Sequence, residues 1–363
     1  MTRSSFNIAF LTVRLSDGGS ERVIANLASS FACHNYKTTV ITYRRSIDEY
    51  PINESVIRYN LDDYRENNGH FGKLSHFLRI KSICEREKID VIISFGNGPI
   101  AHSLLIKILL GIKAVISVRN APDFLYNSRL TKWGVRWIYN IADGAVFQTE
   151  EAKKWFRKEL QYKSSIIYNP VGEIFFSSHY NPEPNRIITC GRLQPQKNHR
   201  LLLDAVEIVS HSINNIRLYI YGVGPLEKEL KEYASEKGLS SIVHFEGRST
   251  NIPMELSKAS VFVLSSNVEG VPNALMEAMA VGVPSVATDC PCGGPRMLLG
   301  ENDRGILVPV NNESELANSI ICLLADENKR NKYSELSKEF AKNFSVEQVF
   351  SEWQKFLLNV YKF

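Results

Sequence analysis

Residues 186–198 read Arg-Ile-Ile-Thr-Cys-Gly-Arg-Leu-Gln-Pro-Gln-Lys-Asn, a short apolar run that ends at Gly191 and continues as a polar loop. A helical pattern follows over residues 199–210. A buried strand that leads through a loop into a helix is the repeating unit of a parallel α/β sheet. Because this unit starts afresh near the middle of a 363-residue chain, we expect two such sheets in tandem.

The sequence on both sides of this stretch repeats the alternation of strand and helix. Upstream, a helix over residues 21–31 follows the first of five predicted strands, at residues 7–13, 38–43, 91–94, 115–118 and 144–147. Downstream, four more strands are predicted, at residues 217–221, 242–245, 261–264 and 285–288. Proline and polar residues cluster at 168–171 and 181–184, where we place the domain boundary. Ligands of open α/β sheets bind beyond the carboxyl ends of the strands, so the predicted site is a cleft between the two domains.

Charge is distributed unevenly along the chain, although the net charge is only +4. Residues 1–180 hold 24 Lys and Arg against 17 Asp and Glu, whereas residues 181–363 hold 19 against 22. A basic first half is compatible with an anionic membrane or an acidic acceptor, and equally with an ordinary solvated surface.

The cysteines and the apolar stretches bear on the compartment. The six cysteines lack disulfide or zinc spacing, and we expect Cys290 and Cys292 to be packing residues of a loop. We expect no signal peptide, and the most apolar stretch, residues 100–118, is too interrupted for a membrane-spanning helix. These features predict a cytoplasmic protein with reduced thiols.

Two loops carry charged side chains suited to a nucleotide sugar. Arg192 and Lys197 follow the strand 186–190, where a guanidinium, an ammonium and a helix start suit phosphate oxygens. Glu269 precedes a helix that Pro272 is suited to open, and Glu277 lies between one and two turns into it. Taken alone, the two glutamates are also compatible with the general acid and base of a glycoside hydrolase. Glu277 by itself is also compatible with an ordinary charge on a helix surface. Their placement around a helix start favours a cradle for a nucleotide sugar.

Three glycine-containing loops also follow predicted strands. Gly18-Gly19 lacks the Gly-x-Gly-x-x-Gly spacing of a nicotinamide site, but it allows close backbone contact with a phosphate or an acceptor. Gly222-Val-Gly224 and the segment from Gly247 to Asn251 could line a nucleotide pocket. Each of these loops is, by itself, equally compatible with a tight turn.

Taken in order, these loops resemble the retaining GT-B glycosyltransferases of family 4, also called glycosyltransferase group 1. The resemblance covers nearly the whole chain. The full set of motifs in this order is specific for the family, whereas no single motif is. The matching positions are Gly18-Gly19, Asn169-Pro170, Gly191-Arg192 with Lys197, Gly222-x-Gly224, Gly247, Glu269 with Glu277 as a Glu-x7-Glu signature, and residues 289–295 and 305–309.

This resemblance implies a fold and a set of roles. An acceptor domain over residues 1–170, joined by a C-terminal helix at 345–363, would precede a donor domain over 171–344. Arg192 and Lys197 would bind the diphosphate, Glu269 the sugar and Glu277 the ribose, with no metal or other cofactor. The remaining donor-binding positions would be Gly18, Gly19, Gly222, Gly224, Arg248, Asn251, Gly270, Val271, Pro272, Asn273 and Ala274.

One position departs from the family pattern. Arg119 stands where many members have a histidine, and a guanidinium cannot act as a general base. Arg119 is therefore predicted to serve catalysis by binding donor or acceptor through charge and hydrogen bonds. His102 is a possible substitute, but its apolar helical surroundings favour a core or interface histidine.

Residues 290–296 and Arg119-Asn120 look most like the branch that builds bacterial surface polysaccharides such as O-antigen of lipopolysaccharide and capsule. There the donor is often a UDP-hexose or UDP-N-acetylhexosamine, and the acceptor a sugar on a polyprenyl diphosphate. Basic and aromatic residues over 124–139 favour a helix on the inner face of the cytoplasmic membrane, or else one packed on its sheet with its basic side in water. A nucleotide-sugar epimerase and a non-catalytic sugar-nucleotide-binding subunit remain the alternative functions.

Overall fold

The computed structural model describes residues 6–16, 18–64 and 72–362. The chain forms two compact units. The first consists of Met1–Pro170 together with Val346–Phe363, and the second of Val171–Ser345.

The first unit contains a parallel sheet of seven strands in the order β3-β2-β1-β4-β5-β6-β7. Its central strands are rich in Val and Ile and are buried along their whole length, as expected for a sheet covered on both faces. The strands are β1 (Ile8–Thr12), β2 (Thr38–Thr42), β3 (Ile57–Asn60), β4 (Val91–Phe95), β5 (Lys113–Val118), β6 (Gly144–Phe147) and β7 (Ser164–Ile166).

Helices connect these strands, and the last helix of the chain joins the same unit. The helices are α1 (Gly19–Cys33), α2 (Gly72–Arg86), α3 (Asn97–Leu110), α4 (Pro122–Leu125), α5 (Arg129–Ile138), α6 (Glu150–Lys154), α7 (Lys158–Tyr162) and, from the end of the chain, α16 (Val346–Lys362). The apolar face of α16 packs on the first unit, where Trp353 is fully buried beside Phe95. Among the described residues, no helix is both long enough and apolar enough to cross a bilayer.

The second unit contains a parallel sheet of six strands in the order β10-β9-β8-β11-β12-β13. The strands are β8 (Arg186–Cys190), β9 (Arg217–Tyr221), β10 (Val243–Gly247), β11 (Val261–Leu264), β12 (Ser285–Thr288) and β13 (Ile306–Val308). The helices are α8 (Glu173–Phe176), α9 (His199–Ser212), α10 (Glu227–Glu236), α11 (Ile252–Ser257), α12 (Asn273–Val281), α13 (Gly294–Leu299), α14 (Glu313–Ala325) and α15 (Glu327–Ala341). Single-turn 3₁₀ helices cover Leu61–Tyr64, Tyr139–Ile141, Pro195–Lys197 and Lys342–Phe344.

The predicted fold class is confirmed, because both sheets are parallel and doubly wound. The predicted strands form with bounds that differ by no more than two residues. The sequence analysis missed β3, β7 and β13, which all lie at sheet edges. These strands have only three or four residues and are mostly half-buried, so they lack the continuous apolar run that identifies an interior strand.

Each sheet has one place where the strand order reverses. In the first unit β1 and β4 are neighbours, and in the second unit β8 and β11 are neighbours. The strand-to-helix loops diverge there beyond the carboxyl ends of the strands and leave a crevice for ligands.

The packing of α16 leads to a stability prediction. Trp353→Ala removes a fully buried indole and should lower the free energy of unfolding by about 3–5 kcal/mol. Ser351→Ala, at an exposed position of the same helix, should change it by less than about 0.5 kcal/mol. Urea unfolding measures both free energies when it is followed by far-UV circular dichroism, a signal that does not rely on the fluorescence of the removed tryptophan. Equal effects of the two substitutions would contradict the packing described.

Candidate active site

Two charged side chains of the second unit, Lys197 and Glu269, meet at the carboxyl edge of its sheet. Arg192 and Lys197 lie in the loop after β8, and Glu269 lies in the loop after β11. Nζ of Lys197 is 2.5 Å from Oε1 of Glu269, and Oγ of Ser266 donates to the same oxygen at 2.6 Å. The structure therefore brings together two predicted site residues that are 72 positions apart in the chain.

This ion pair is largely shielded from water, because the Glu269 side chain is 8% exposed and that of Lys197 is 19% exposed. Removing one partner of such a pair leaves an uncompensated charge, which costs about 3–5 kcal/mol where burial is complete. Lys197 and Glu269 therefore hold each other in place at the edge of the sheet.

Backbone hydrogen bonds and amide side chains fix the two loops against each other. The amide of Asn267 donates to the carbonyl of Gln196 at 2.8 Å, and Nε2 of Gln196 donates to the carbonyl of Val268 at 2.7 Å. Oγ of Ser265 donates to the carbonyl of Lys197 at 3.0 Å. These bonds align the segment that carries Lys197 with the segment that carries Glu269.

A third loop, after β12, supports Glu269 from the other side. The amide of Glu269 donates to the carbonyl of Pro291 at 2.7 Å, and the amide of Cys292 donates to the carbonyl of Glu269 at 2.8 Å. Cys290 and Cys292 are buried and form no disulfide among the described residues, as expected for packing residues of a loop. Burial raises the pKa of the Cys290 thiol to about 12, so the thiol stays protonated.

Glycines stand where these loops touch, at positions that admit no side chain. A Cβ at Gly222, where φ is +142°, would lie 1.9 Å from the carbonyl oxygen of Gly191. A Cβ at Gly294 would lie 1.6 Å from the carbonyl oxygen of Gly270. The loops after β8 and β9 thus meet backbone to backbone, as do the loops after β11 and β12.

The helix α12 carries the second glutamate of the pair. Pro272 is its N-cap and Asn273 its first residue, so Glu277 lies just over one turn into the helix, as predicted. Glu277 is 6% exposed, and its charge adds to burial in raising the pKa of the nearby Cys190 thiol. Gly270, Val271, Pro272 and Ala274 are the backbone between the two carboxylates.

The remaining predicted donor positions follow β9 and β10. Gly222 and Gly224 come directly after β9, and a Cβ at Gly224 would lie 2.3 Å from the carbonyl oxygen of Leu193. Arg248 is exposed after β10, and Asn251 caps α11 by accepting a hydrogen bond from the amide of Met254. Arg192 is exposed and forms no ion pair within the described ranges.

The first unit has its own cavity, of about 220 Å³, at the place where its strand order reverses. Its walls come from the ends of β1, β4 and β5 and from the residues that follow them. Gly18 is the N-cap of α1 and Gly19 its first residue, so both lie at the start of the helix that follows β1, whereas Asp17 lies outside the described residues.

Arg119 follows β5 and lines this cavity, but its guanidinium is turned towards the interior of the first unit. Nη1 donates to Oδ1 of Asn169 at 2.6 Å, and the guanidinium carbon lies 5.0 Å from the centre of the Phe95 ring. Nε and Nη2 are buried and make no hydrogen bond within the described residues. Burial lowers the pKa of Arg119 to about 9, which still leaves it a cation at neutral pH.

Comparison with known proteins identifies the family of this chain. The model described as glycosyl transferases group 1 matches residues 171–340, and that of glycosyltransferase family 4 matches residues 17–172. The two matches meet at the boundary between the units. The chain belongs to glycosyltransferase family 4.

Several relatives of this glycosyltransferase match nearly its whole length. Two are from Campylobacter jejuni. "GalNAc-alpha-(1->4)-GalNAc-alpha-(1->3)-diNAcBac-PP-undecaprenol alpha-1,4-N-acetyl-D-galactosaminyltransferase" is 26% identical, over 97% of this chain and 98% of the relative. "N-acetylgalactosamine-N,N'-diacetylbacillosaminyl-diphospho-undecaprenol 4-alpha-N-acetylgalactosaminyltransferase" is 27% identical, over 95% and 97%. The crystal structure of Anabaena HepE in complex with UDP shares the fold, with a TM-score of 0.80 at 17% identity, over 98% of this chain and 100% of that one.

The sequence analysis of this glycosyltransferase missed residues that matter for the site geometry. Ser266 and Gln196 hold Glu269 and its loop, and Asn97 lines the cavity of the first unit. Their only sequence signal is their position just after a strand, which many surface residues share. The roles assigned to Arg119, Arg192, Lys197, Glu269 and Glu277 stay predictions.

His199, the first residue of α9, gives this glycosyltransferase a pH-dependent stability. Its ring is 3% exposed, Nδ1 makes no hydrogen bond within the described residues, and burial, with a smaller effect of Lys197, lowers its pKa to about 4. Between about pH 6.5 and pH 4 the unfolded chain binds a proton at this histidine and the folded chain does not. Stability should therefore fall by about 3 kcal/mol as the pH decreases through this window.

The measurement is urea unfolding at pH 7 and at pH 4 for the wild type, His199→Gln and His211→Gln. The loss between the two pH values should shrink only in His199→Gln, since His211 is exposed. An equal pH dependence in all three proteins would contradict this assignment.

Proposed function

We propose that this chain is a retaining glycosyltransferase that moves a hexose or N-acetylhexosamine from a UDP-sugar to a lipid-linked sugar acceptor in bacterial polysaccharide biosynthesis. The observation that carries the proposal is the shielded Lys197–Glu269 ion pair at the carboxyl edge of the second sheet, with Glu277 on the adjoining helix.

The donor site would take the diphosphate between Arg192 and Lys197. Arg192 is exposed without an ion-pair partner within the described residues, so its guanidinium is available to an incoming anion. The ammonium of Lys197 carries three donors, and the contact with Glu269 uses one of them. Two cations at one diphosphate would offset the charge that develops on the departing nucleotide, which is the task that a metal ion performs elsewhere.

Glu269 and Glu277 would orient the two ends of the donor. Oε1 of Glu269 accepts hydrogen bonds from Lys197 and Ser266, so Oε2 is the oxygen left for a sugar hydroxyl. Glu277, about one turn into α12, would accept from the ribose hydroxyls. In the proposed reaction the bond from the anomeric carbon to the diphosphate breaks, and the acceptor oxygen bonds to the same face. The acceptor proton passes to the departing phosphate oxygen, so neither glutamate has to act as a base.

The comparisons support the choice of donor and acceptor classes. HepE was crystallised with UDP, which favours a uridine nucleotide. The names of both Campylobacter relatives specify a sugar chain on undecaprenyl diphosphate and the transfer of N-acetylgalactosamine. A lipid-linked acceptor is therefore the class that we propose for this chain.

Substitution at the ion pair and at α12 tests the transfer reaction. Lys197→Gln and Glu277→Gln should each lower the transfer rate by at least about two powers of ten, or about 3 kcal/mol, because each removes a charge aimed at the donor. Arg200→Gln is the matched control, since Arg200 is an exposed cation that pairs with Glu229 at 3.0 Å in the same unit. Near-normal turnover in both variants, assayed below their unfolding temperatures, would contradict the proposal.

Thermal-shift measurements with UDP, GDP, ADP and their sugar conjugates identify the donor nucleotide. A ligand that binds the folded protein raises the unfolding temperature of that protein. UDP should stabilise the wild type and stabilise Lys197→Gln less, and turnover should persist in EDTA. Formation of an altered nucleotide sugar without any acceptor would instead indicate an epimerase.

We also propose that the first unit docks on an anionic membrane surface through α5. One exposed stripe of this helix is apolar and consists of Leu130, Trp133 and Trp137. No residue of the helix is buried. Arg129, Lys132 and Arg136 form the adjacent stripe. A helix with an apolar stripe beside a basic one suits the interface of a bilayer with anionic lipids, where a lipid-linked acceptor would be found.

Sedimentation with phosphatidylglycerol vesicles tests this docking. Binding should be strong at low salt and weaken as salt rises, because the Debye length falls to about 8 Å at 0.15 M. Trp133→Ser should weaken binding roughly three- to ten-fold by removing apolar contact. Leu336→Ser, at an exposed apolar position of the second unit, should leave it unchanged. Absence of binding at low salt would refute membrane docking and leave the transfer reaction untouched.

A further inference from the structure

The cavity of the first unit holds an asparagine whose orientation is fixed by two buried tyrosines. Asn97 is exposed on the cavity wall at the start of α3, directly after β4 and Gly96. The hydroxyl of Tyr126 donates to Oδ1 of Asn97 at 2.7 Å, and the hydroxyl of Tyr139 reaches the same oxygen at 3.2 Å. The two hydroxyls are also 3.0 Å apart, and because each has one hydrogen, they make two of these three contacts at a time; the three side chains form one group.

This hydrogen-bonded group determines which atom of the Asn97 amide remains available to a ligand. Tyr126 and Tyr139 are 5% and 4% exposed, and burial raises the pKa of both phenols, so both remain hydrogen-bond donors. The structure turns Oδ1 of Asn97 towards the two phenols, where the amide oxygen accepts from their hydroxyls. The amide nitrogen Nδ2 of Asn97 then carries two hydrogens that make no hydrogen bond within the described residues.

The rest of the cavity wall combines polar groups, among them Arg119, with apolar surface. Hydroxyl and carboxylate oxygens come from Thr12, Ser20 and Glu21, and apolar surface comes from Phe95, Ile100 and Leu125. A volume of about 220 Å³ is below the usual range of about 300–1,000 Å³ for drug-sized ligands. Sugar rings combine hydroxyls that donate and accept with apolar C–H faces, so a single ring matches both the size and the lining.

We propose that this cavity binds the terminal sugar of the acceptor and that Nδ2 of Asn97 donates to one of its ring substituents, with Tyr126 and Tyr139 as positioning residues. The inference rests on the proposed transferase function and assigns the acceptor side of it to named residues. A site built to donate to a particular oxygen discriminates strongly against sugars that lack it, because its own polar group is then left unpaired. Asn97 is on this account a specificity-determining residue.

Saturation-transfer NMR with free N-acetylglucosamine, N-acetylgalactosamine, glucose and galactose tests the site directly. At least one sugar should give a signal with the wild type, and excess UDP should not displace it. Asn97→Asp keeps the size of the side chain and an acceptor for both tyrosines but removes the two amide donors. It should weaken sugar binding about three- to ten-fold, which is the range for loss of one hydrogen bond.

The positioning role has a separate readout. Tyr126→Phe should weaken sugar binding in the wild-type background and have no further effect in Asn97→Asp, because Tyr126 acts through the amide. Tyr59→Phe is the matched control, since its hydroxyl bonds to Glu87 at 2.6 Å elsewhere in the first unit. It should leave sugar binding unchanged.

Three results would overturn the inference: no sugar signal, displacement of the sugar by UDP, or undiminished binding in Asn97→Asp. Stabilisation of the wild type by UDP in the same samples would show that the proposed function survives such a failure. Lack of UDP stabilisation would count against the proposed function itself.

Discussion

All strands of each sheet run in the same direction, and this constraint gathers the chemistry of the molecule. Every strand-to-helix loop leaves its sheet at the carboxyl edge, so loops far apart in sequence become neighbours there. Lys197 and Glu269 form an ion pair because β8 and β11 are adjacent strands. In the first unit, the adjacency of β1 and β4 opens the cavity that Asn97 lines.

Backbone contacts and side-chain hydrogen bonds together hold the loops of the second unit. Its loops meet where glycine lets two backbones touch, at Gly222 against Gly191 and at Gly294 against Gly270. Amide-to-carbonyl bonds with the loop after β12 fix the backbone of Glu269, and Lys197 and Ser266 hold its carboxylate. Such rigidity favours a site that binds a charged donor, since fixed donors and charges are most effective where they need not move.

The first unit differs in the way it presents its polar groups. The guanidinium of Arg119 is turned towards Asn169 and the rings of Phe95 and Trp353, and its role towards substrate stays a prediction. The group best placed to donate into the cavity is instead the amide of Asn97, which buried phenols orient. The same unit exposes the apolar and basic stripes of α5, so the proposed acceptor site and the proposed membrane contact belong to one unit.

The sequence by itself determined the fold class, the interior strands, the α12 start and the charged residues of the donor loops. Continuous apolar runs and helix-opening residues are local signals, and the ordered set of loops is specific to one family. Tertiary structure alone decided the partners of those residues: Ser266 and Pro291 around Glu269, and the direction of Arg119. It also revealed the edge strands β3, β7 and β13 and the group of Asn97, Tyr126 and Tyr139. Short edge strands and hydrogen bonds between residues tens of positions apart leave no periodic trace, because they depend on which segments the sheet makes neighbours.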